Sequence, residues 1–464
     1  MDKNESEITT DLLPRLDRLP WSSWHWKVWF ILAGGMLLEG FVLSIGGSTL
    51  STVEKLFSLT KVEVIALTPI FLVGEMLGGI YLGAMADIRG RKELFIITMA
   101  IIAAGSLLSA ISVNYIMLAA SRAIAGFGIG GELGSAITAL EEFSPSKNRG
   151  FSVGTGNGVM FDFGTFIAGF VSFFAIAYLP VSYGWRIAFL TAVVLAAFIF
   201  VARLDLPESI RYLLRKGKVD EAGLIVAGIE LKVEKKTGKL SPVKNSVKVM
   251  TDSGNIGASE GFRVIFKKYK KRIALSWILN FTETWPYYAA FSIIPLIFTD
   301  IYHIKSQDTG LILSVVLGAG VVGVLIWAFL LDIIGRRPVI LITYIMAGIV
   351  SIILGIVVKS IDFVVFIAIL SLMYFFTYAA AALLYPQIGE MFPTRARGSG
   401  VGTAIGFGRL GGIIGPFVLL ALLPLGLIYV FVVTGIVLII GGLAEVVLGP
   451  ELKRESLEKA SNDD

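Results

Sequence analysis

Several ionisable side chains stand well inside long apolar runs of this chain: Glu39, Glu75, Arg122, Glu132, Asp162, Glu283, Arg409 and Glu445. A charge in such surroundings is costly, and it is retained where it handles protons, ions or a charged solute. Glu39 and Arg122 are the first candidate pair. A carboxyl group that gains or loses an Arg neighbour changes its hold on a proton, so movement of Arg122 would load or unload Glu39. The plainer alternative is a structural ion pair. Glu75 and Asp162 read as further proton sites or as cation ligands. Glu132 ends a Gly-rich run and reads as a structural hydrogen bond, while Glu445, near the end of its run, reads as interfacial. Arg409 can grip a carboxylate through two parallel N–H bonds; alternatively it packs helices or caps carbonyls.

Aromatic residues accompany these charges. One run reads Asn280-Phe281-Thr282-Glu283-Thr284-Trp285-Pro286-Tyr287-Tyr288, and another carries Tyr374, Phe375, Phe376 and Tyr378. Glu283, Trp285, Tyr287, Tyr288, Tyr374, Tyr378 and Arg409 are therefore the expected solute contacts. Rings beside acids suit an organic cation, an aromatic metabolite or a small organic acid. A hexose calls for amides that donate and accept at once. The only glutamines, Gln307 and Gln387, lie away from the middle of the runs, which argues against a sugar. Cysteine is absent, and the two histidines, His25 and His303, flank the runs. No metal site, cofactor or catalytic residue is expected.

The elements that must hold these residues follow from composition. Of 464 residues 55% are apolar and 16% charged, with mean hydropathy +0.80. Soluble chains are about 25% charged; a soluble enzyme, a disordered chain and a nucleic-acid binder are excluded. A membrane helix takes about 20 apolar residues, so twelve need about 240. Apolar runs of that length fall into two groups of six, over 28–204 and 272–448. A cytoplasmic tail, 1–27, precedes them; a polar stretch rich in Lys and Arg, 205–271, separates them; a second tail, 449–464, follows. Of the 40 Lys and Arg, only Lys55, Lys61, Arg186, Lys305 and Lys359 fall on one side of the membrane. Arg122 and Arg409 lie within spans, and all the others fall on the side of the tails and the central stretch. The positive-inside rule makes that side cytoplasmic, in a multi-pass protein of the cell membrane.

Three motifs occur in both halves at nearly equal offsets. Gly83 to Lys92 is matched by Asp332-Ile333-Ile334-Gly335-Arg336-Arg337, Glu142 with Arg149-Gly150 by Glu390 with Arg397-Gly398, and Pro207-Glu208 by Pro450-Glu451. Repeats in register argue for two parallel six-helix halves with a solute site between them.

These residues resemble the major facilitator superfamily over nearly the whole chain. Gly83 to Lys92 is similar to its loop G-x-x-x-D-x-x-G-R-K, and Arg122-x-x-x-Gly126-x-Gly128-x-Gly130-Gly131-Glu132 to its fourth-helix motif. Pro207-Glu208-Ser209-x-Arg211-Tyr212-Leu213 resembles the sugar-porter-like branch. Glu390-x-Phe392-Pro393-Thr394-x-x-Arg397-Gly398 and Arg409-x-Gly411-Gly412-x-x-x-Pro416 resemble metabolite:proton symporters and organic ion transporters. The resemblance implies an all-α membrane fold of twelve helices in two six-helix bundles that rock about a midplane site. It implies a secondary transporter of a small organic solute, proton-coupled, working as a monomer in the lipid bilayer, with no nucleic-acid partner. Related chains carry an acid at the position of Val42, often with a second at that of Glu39; only Glu39 is present here. The rivals are an ion-independent facilitator or sugar transporter of the same fold, and a non-transporting membrane sensor.

The repeated turns have a physical reading as a gate. Asp87 can accept hydrogen bonds from a helix N-terminus and pair with Arg91, latching the halves in the outward-open state. Gly83 and Gly90 shape that turn, and Asp332 with Arg336 repeat it. Glu142 with Arg149, and Glu390 with Arg397, are expected to pair in the same gate.

Overall fold

The computed structural model describes residues 5–452 apart from 244, 253–257, 305 and 394–395. Lys305 and Thr394 of the preceding reading therefore lie outside the described residues. The chain begins with β1 (Glu5–Thr10), α1 (Leu12–Asp17), α2 (Ser23–Ser48), α3 (Leu50–Phe57), α4 (Lys61–Arg89), α5 (Arg91–Ala110), α6 (Tyr115–Phe143), α7 (Arg149–Tyr178) and α8 (Val181–Arg203). A connecting region follows: α9 (Ile210–Arg215), α10 (Val219–Thr237), β2 (Val247–Asp252) and α11 (Ala258–Lys268). The second half holds α12 (Lys270–Leu296), α13 (Ser306–Ile334), α14 (Arg336–Val357), α15 (Phe363–Met391), α16 (Arg397–Leu422) and α17 (Leu427–Leu448).

The fold is all-α and membrane-spanning. Among the described residues ten helices are long and apolar enough to cross a bilayer: α2, α4, α5, α6, α8 and α13 to α17. The 30-residue α7 and 27-residue α12 stand where the fifth and seventh spans were expected. Local chemistry starts several helices. Thr60 and Glu63 form a capping box on α4, with Thr60 N–H to Glu63 Oε2 at 2.8 Å. Asn114 accepts from Met117 N–H at the start of α6, and Asp362 from Val365 N–H at the start of α15, both at 2.9 Å.

Two glycines are required by their conformation. Gly90, φ +91°, breaks α4 from α5, and Gly335, φ +127°, breaks α13 from α14. Each lies under a carboxylate. Glu208 accepts from the N–H groups of Arg91 and Lys92 at 3.0 and 3.3 Å, and Glu451 from that of Arg336 at 3.1 Å. A Cβ at Gly90 would come within 2.7 Å of Glu208, and one at Gly335 within 2.6 Å of Glu451. Burial pushes the Glu208 carboxyl up, against the pull of its N–H donors. The repeated Pro-Glu motif is thus a pair of helix caps that aim Arg91 and Arg336.

Packing pairs α4 with α6, α5 with α6 and α8, and α2 with α7 in the first half. In the second half α12 packs on α16, α14 on α17 and α13 on α15. The halves meet along α4 with α16, and along α7 with α13 and α15. Backbones approach closely there: a Cβ on Gly402 would lie 2.1 Å from the Gly79 carbonyl oxygen, and one on Gly83 2.7 Å from that of Gly398. Trp29 donates from Nε1 to the Ser152 carbonyl at 2.8 Å and is buried, so it joins α2 to α7.

The tail and the central stretch carry structure that composition did not reveal. β1 and β2 pair antiparallel, Glu5 opposite Asp252 and Thr10 opposite Val247. Leu12, Leu13 and Leu16 pack on Leu213 and Leu214 of α9 and on Val226 and Ile229 of α10. Arg15 forks onto Glu230 at 3.1 and 2.5 Å, and Arg18 reaches the same carboxylate at 2.5 Å. The Arg15 hydrogen bond holds the Glu230 carboxyl below the usual carboxylate range. Such a local core is built by an i, i+3, i+4 apolar spacing too short to register as a span.

Candidate functional site: a central charged cavity and an ionic lattice

Arg409 reaches from α16 across the interface to the first half. Its Nη2 lies 3.1 Å from Glu39 Oε1 on α2, and its Nε donates to Glu75 Oε1 on α4 at 2.6 Å. All three side chains are buried. The Tyr288 ring lies under the guanidinium at 5.7 Å. Glu39 and Arg409 border a cavity that also takes in Asn157 and Phe161 of α7, Glu283, Thr284, Tyr287 and Tyr288 of α12, and Tyr378 and Tyr385 of α15. Tyr287 stacks on Tyr378 with centroids 4.8 Å apart, and Phe161 meets Tyr287 edge-on at 5.8 Å. One Asp162 oxygen and one Glu75 oxygen are buried without a hydrogen-bond partner.

This geometry corrects the expected pairing of Glu39 with Arg122. Arg122 donates from Nη1 to the Val42 carbonyl at 3.0 Å and lies 4.4 Å from the Phe71 ring centroid. Glu39 and Val42 share a face of α2 by spacing, but the carboxylate takes its cation from α16. Matching acids to bases within one half could not reveal a partner supplied by the other half. Of the expected solute contacts, Glu283, Tyr287, Tyr288, Tyr378 and Arg409 line the cavity together. Trp285 and Tyr374 do not. Trp285 packs on Gly415, and the Tyr374 hydroxyl donates to the Pro286 carbonyl at 3.1 Å. Glu132 pairs with Arg203 and accepts from Thr98 Oγ1 at 2.7 Å, a structural role. Glu445 is fully buried and accepts from Gln387 Nε2 at 2.8 Å, so it is not interfacial. Asn157, Thr284 and Tyr385 escaped notice because uncharged polar residues in apolar runs usually satisfy themselves locally.

On the side of the connecting region the halves are joined by an ionic lattice. Asp87 accepts from the N–H groups of Gly398 and Ser399, at 2.9 and 2.8 Å, at the start of α16, and from Ser399 Oγ at 2.9 Å. Asp332 accepts from the N–H groups of Gly150 and Phe151, at 3.0 and 2.8 Å, at the start of α7. Each aspartate of one half therefore caps a helix of the other. Arg91 stands 3.6 Å from Asp87 and 3.7 Å from Glu142. Arg336 binds Glu390 through Nε and Nη2 at 3.0 and 2.9 Å, and Asp332 at 2.9 Å.

The expected Glu142/Arg149 and Glu390/Arg397 pairs are exchanged. Arg149 meets Glu390 and Arg397 meets Glu142, both at 3.4 Å. Arg149 and Arg397 use their Nε atoms on the Glu141 and Gly389 carbonyls of their own half, at 3.2 and 2.9 Å. That bond turns the rest of each guanidinium toward the opposite half. Two residues of the lattice were not anticipated. Asp17 accepts from Ser146 N–H at 2.7 Å and stands 3.5 Å from Arg149. Glu141 is fully buried with neither carboxylate oxygen hydrogen-bonded, in space that a side chain on Gly389 would fill.

Known proteins share this architecture. The chain is 28% identical to the niacin transporter NiaP of Acinetobacter baylyi, over 97% of this chain and 99% of that protein. It is 25% identical to the 4-hydroxybenzoate transporter PcaK of Pseudomonas aeruginosa, over 92% and 94% of the two chains. The structure of the proton:xylose symporter XylE bound to 6-bromo-6-deoxy-D-glucose superposes with a TM-score of 0.78, covering 94% of this chain and 98% of that one. Their identity is 18%, so that likeness is one of fold. The family profile described as "Sugar (and other) transporter" matches residues 29–463. The chain belongs to that family of the major facilitator superfamily, and it is a multi-pass membrane transporter rather than an enzyme.

Proposed function

We propose that this transporter carries a small aromatic monocarboxylate together with a proton, exposing the Arg409 cavity alternately to the two sides of the membrane. The carrying observation is that Glu39 and Glu75 share the one guanidinium of Arg409 at the cavity, with Glu283 also on its wall. A substrate carboxylate can take Arg409 only where a glutamate gives way. A buried glutamate leaves its cation at least cost when it takes up a proton. Anion and proton then enter together, and the net charge of the cluster is unchanged. The stacked Tyr287–Tyr378 pair and Phe161 supply faces and edges for a flat ring. The relatives named for niacin and 4-hydroxybenzoate support the same solute class. The only amide on the cavity is Asn157 among its described lining residues, which supports an acid over a sugar.

The ionic lattice holds the connecting-region side shut, and its release accompanies rocking. That side is cytoplasmic in this reading, with both ends of the chain, on the strength of the Lys and Arg distribution. The cavity is complete within one chain, which supports a monomer as the working unit.

Proteoliposomes test the proposal. An inward proton gradient should drive accumulation of nicotinate or benzoate by the wild type. Glu39→Gln should keep counterflow exchange and lose gradient-driven accumulation, and Arg409→Lys should weaken both. Xylose uptake with neither acid carried would overturn the solute, and unchanged gradient-driven accumulation in Glu39→Gln would overturn the coupling. For orientation, Lys218→Cys should be shielded from impermeant reagent in intact cells while Lys359→Cys reacts; the reverse pattern inverts the topology.

A further inference from the structure

Arg122 is a buried cation left without an anion. It is 4% exposed, yet among the described residues no carboxylate lies within ion-pair distance of it. Arg91, Arg149, Arg203, Arg336, Arg397 and Arg409 are equally buried, and each faces a carboxylate. Arg122 has the Val42 carbonyl on Nη1 and the rings of Phe71 and Phe189 at 4.4 and 5.9 Å. A carbonyl and two ring faces lessen the cost of burying a guanidinium but do not neutralise it.

The rest of the guanidinium faces a recess. Gly46, Thr49, Leu67, Thr68 and Phe189 line it with Arg122. A Cβ on Gly46 would lie 2.5 Å from Nη2 and 3.2 Å from Nε. Gly46 therefore packs directly against the Arg122 guanidinium, Thr68 borders the same recess, and the Thr49 hydroxyl beside it donates to the Ile45 carbonyl at 2.8 Å. With Nη1 on the Val42 carbonyl, the Nε and Nη2 N–H groups of Arg122 remain as the donors that a halide or a carboxylate group accepts from. The recess lies toward the end of the first half opposite the ionic lattice, among α2, α4, α6 and α8, apart from the central cavity.

We propose that this recess binds a small monovalent anion against Arg122, as a second site independent of the Arg409 cavity. The anion is either chloride or the carboxylate of a solute arriving from that end. The two have the same chemistry at the fork, and the experiment separates them. The inference does not depend on the identity of the transported solute.

The test uses purified full-length protein in detergent, with methanesulfonate as the only anion and ionic strength held constant. Replacing methanesulfonate by chloride should raise the wild-type melting temperature along a saturating curve, because a ligand stabilises the state it binds. Arg122→Met should lose that response. Gly46→Val keeps the charge but sets a side chain where the guanidinium now lies and displaces it, so its half-saturating chloride concentration should rise at least tenfold, or the response should vanish. If Arg122→Met does not fold, Gly46→Val decides. Nicotinate that cancels the chloride response assigns the recess to carboxylates as well; nicotinate without effect on it assigns the recess to the halide. A wild type that gives no saturable response to chloride, or a response retained in full by both variants, overturns the proposal.

Discussion

The two turns related by the internal repeat, at Asp87 and at Asp332, hold the halves together in different ways. Asp87 takes three hydrogen bonds from α16, one of them from the Ser399 hydroxyl, while its neighbour Arg91 stands at 3.6 Å. Asp332 takes two from α7, where Phe151 stands in place of the serine, but Arg336 grips both Asp332 and Glu390 within 3.0 Å. The first turn is strong across the interface and loose within its own half. The second is tight within its half and weaker across. A repeat can thus preserve backbone caps while shifting the side-chain interactions from the moving joint to the rigid body. In the alternating access proposed above, rocking breaks the cross-half bonds, so the Asp87 side would set more of the energy of closure.

Substitutions can break or sharpen this contrast. The largest effect is expected at Glu390, which serves Arg336 and Arg149 at once. Glu390→Gln leaves Arg336 to Asp332 and Arg149 to Asp17, at a cost approaching about 3–5 kcal/mol. Glu142→Gln, whose partners stand at 3.4 and 3.7 Å, should cost less. Thermal unfolding in detergent compares the two, and equal losses would refute the tighter second turn. Next comes the helix seam. Gly402→Ala on the Asp87 side drives a methyl into the Gly79 carbonyl, at about 1–3 kcal/mol. Gly158→Ala, at the α7–α13 contact beside the cavity, meets side chains rather than backbone, the movable Val324 at 2.9 Å and the Ala382 Cβ at 3.0 Å. Transport should fall further in the first variant; the opposite order would place the tighter seam at α7.

Smaller effects separate the aspartates themselves. Asp87→Asn and Asp332→Asn should both favour the open lattice, by about 1.5–3 kcal/mol for hydrogen bonds to a charged group. Asp87→Asn should do so more, read as labelling of a cysteine placed on the connecting-region side. Ser399→Ala removes one hydrogen bond and should shift the same labelling by the equivalent of about 0.5–1.5 kcal/mol. Labelling that does not respond to Ser399→Ala would erase the difference in cross-half bonds.

The halves, the turns and most lattice residues were legible because motifs at equal offsets survive in the linear order. The pairing was not. Glu142 and Arg149 lie one loop apart, as do Glu390 and Arg397, so two-fold exchange of partners leaves the spacing unaltered. Glu39 and Arg409 stood out as charges in apolar runs, but their meeting depends on how α16 crosses α2 and α4. Glu141 was masked by Glu142 beside it. Asp17 was masked by a tail whose acids look merely soluble.

The small sheet formed by Glu5–Thr10 and Val247–Asp252 imposes a rule of counting. Two hydrogen-bonded strands must share one face of the bilayer, so an even number of crossings must separate them. α2, α4, α5, α6, α7 and α8 supply that even number. Omission of one crossing would put the strands on opposite faces, and the sheet could not close. At a synthesis rate of about 5–20 residues per second, the first strand emerges roughly ten to fifty seconds before its partner. The earlier strand is thus fixed only after the whole first half has been made, and its closure registers that the intervening helices have entered the membrane in full.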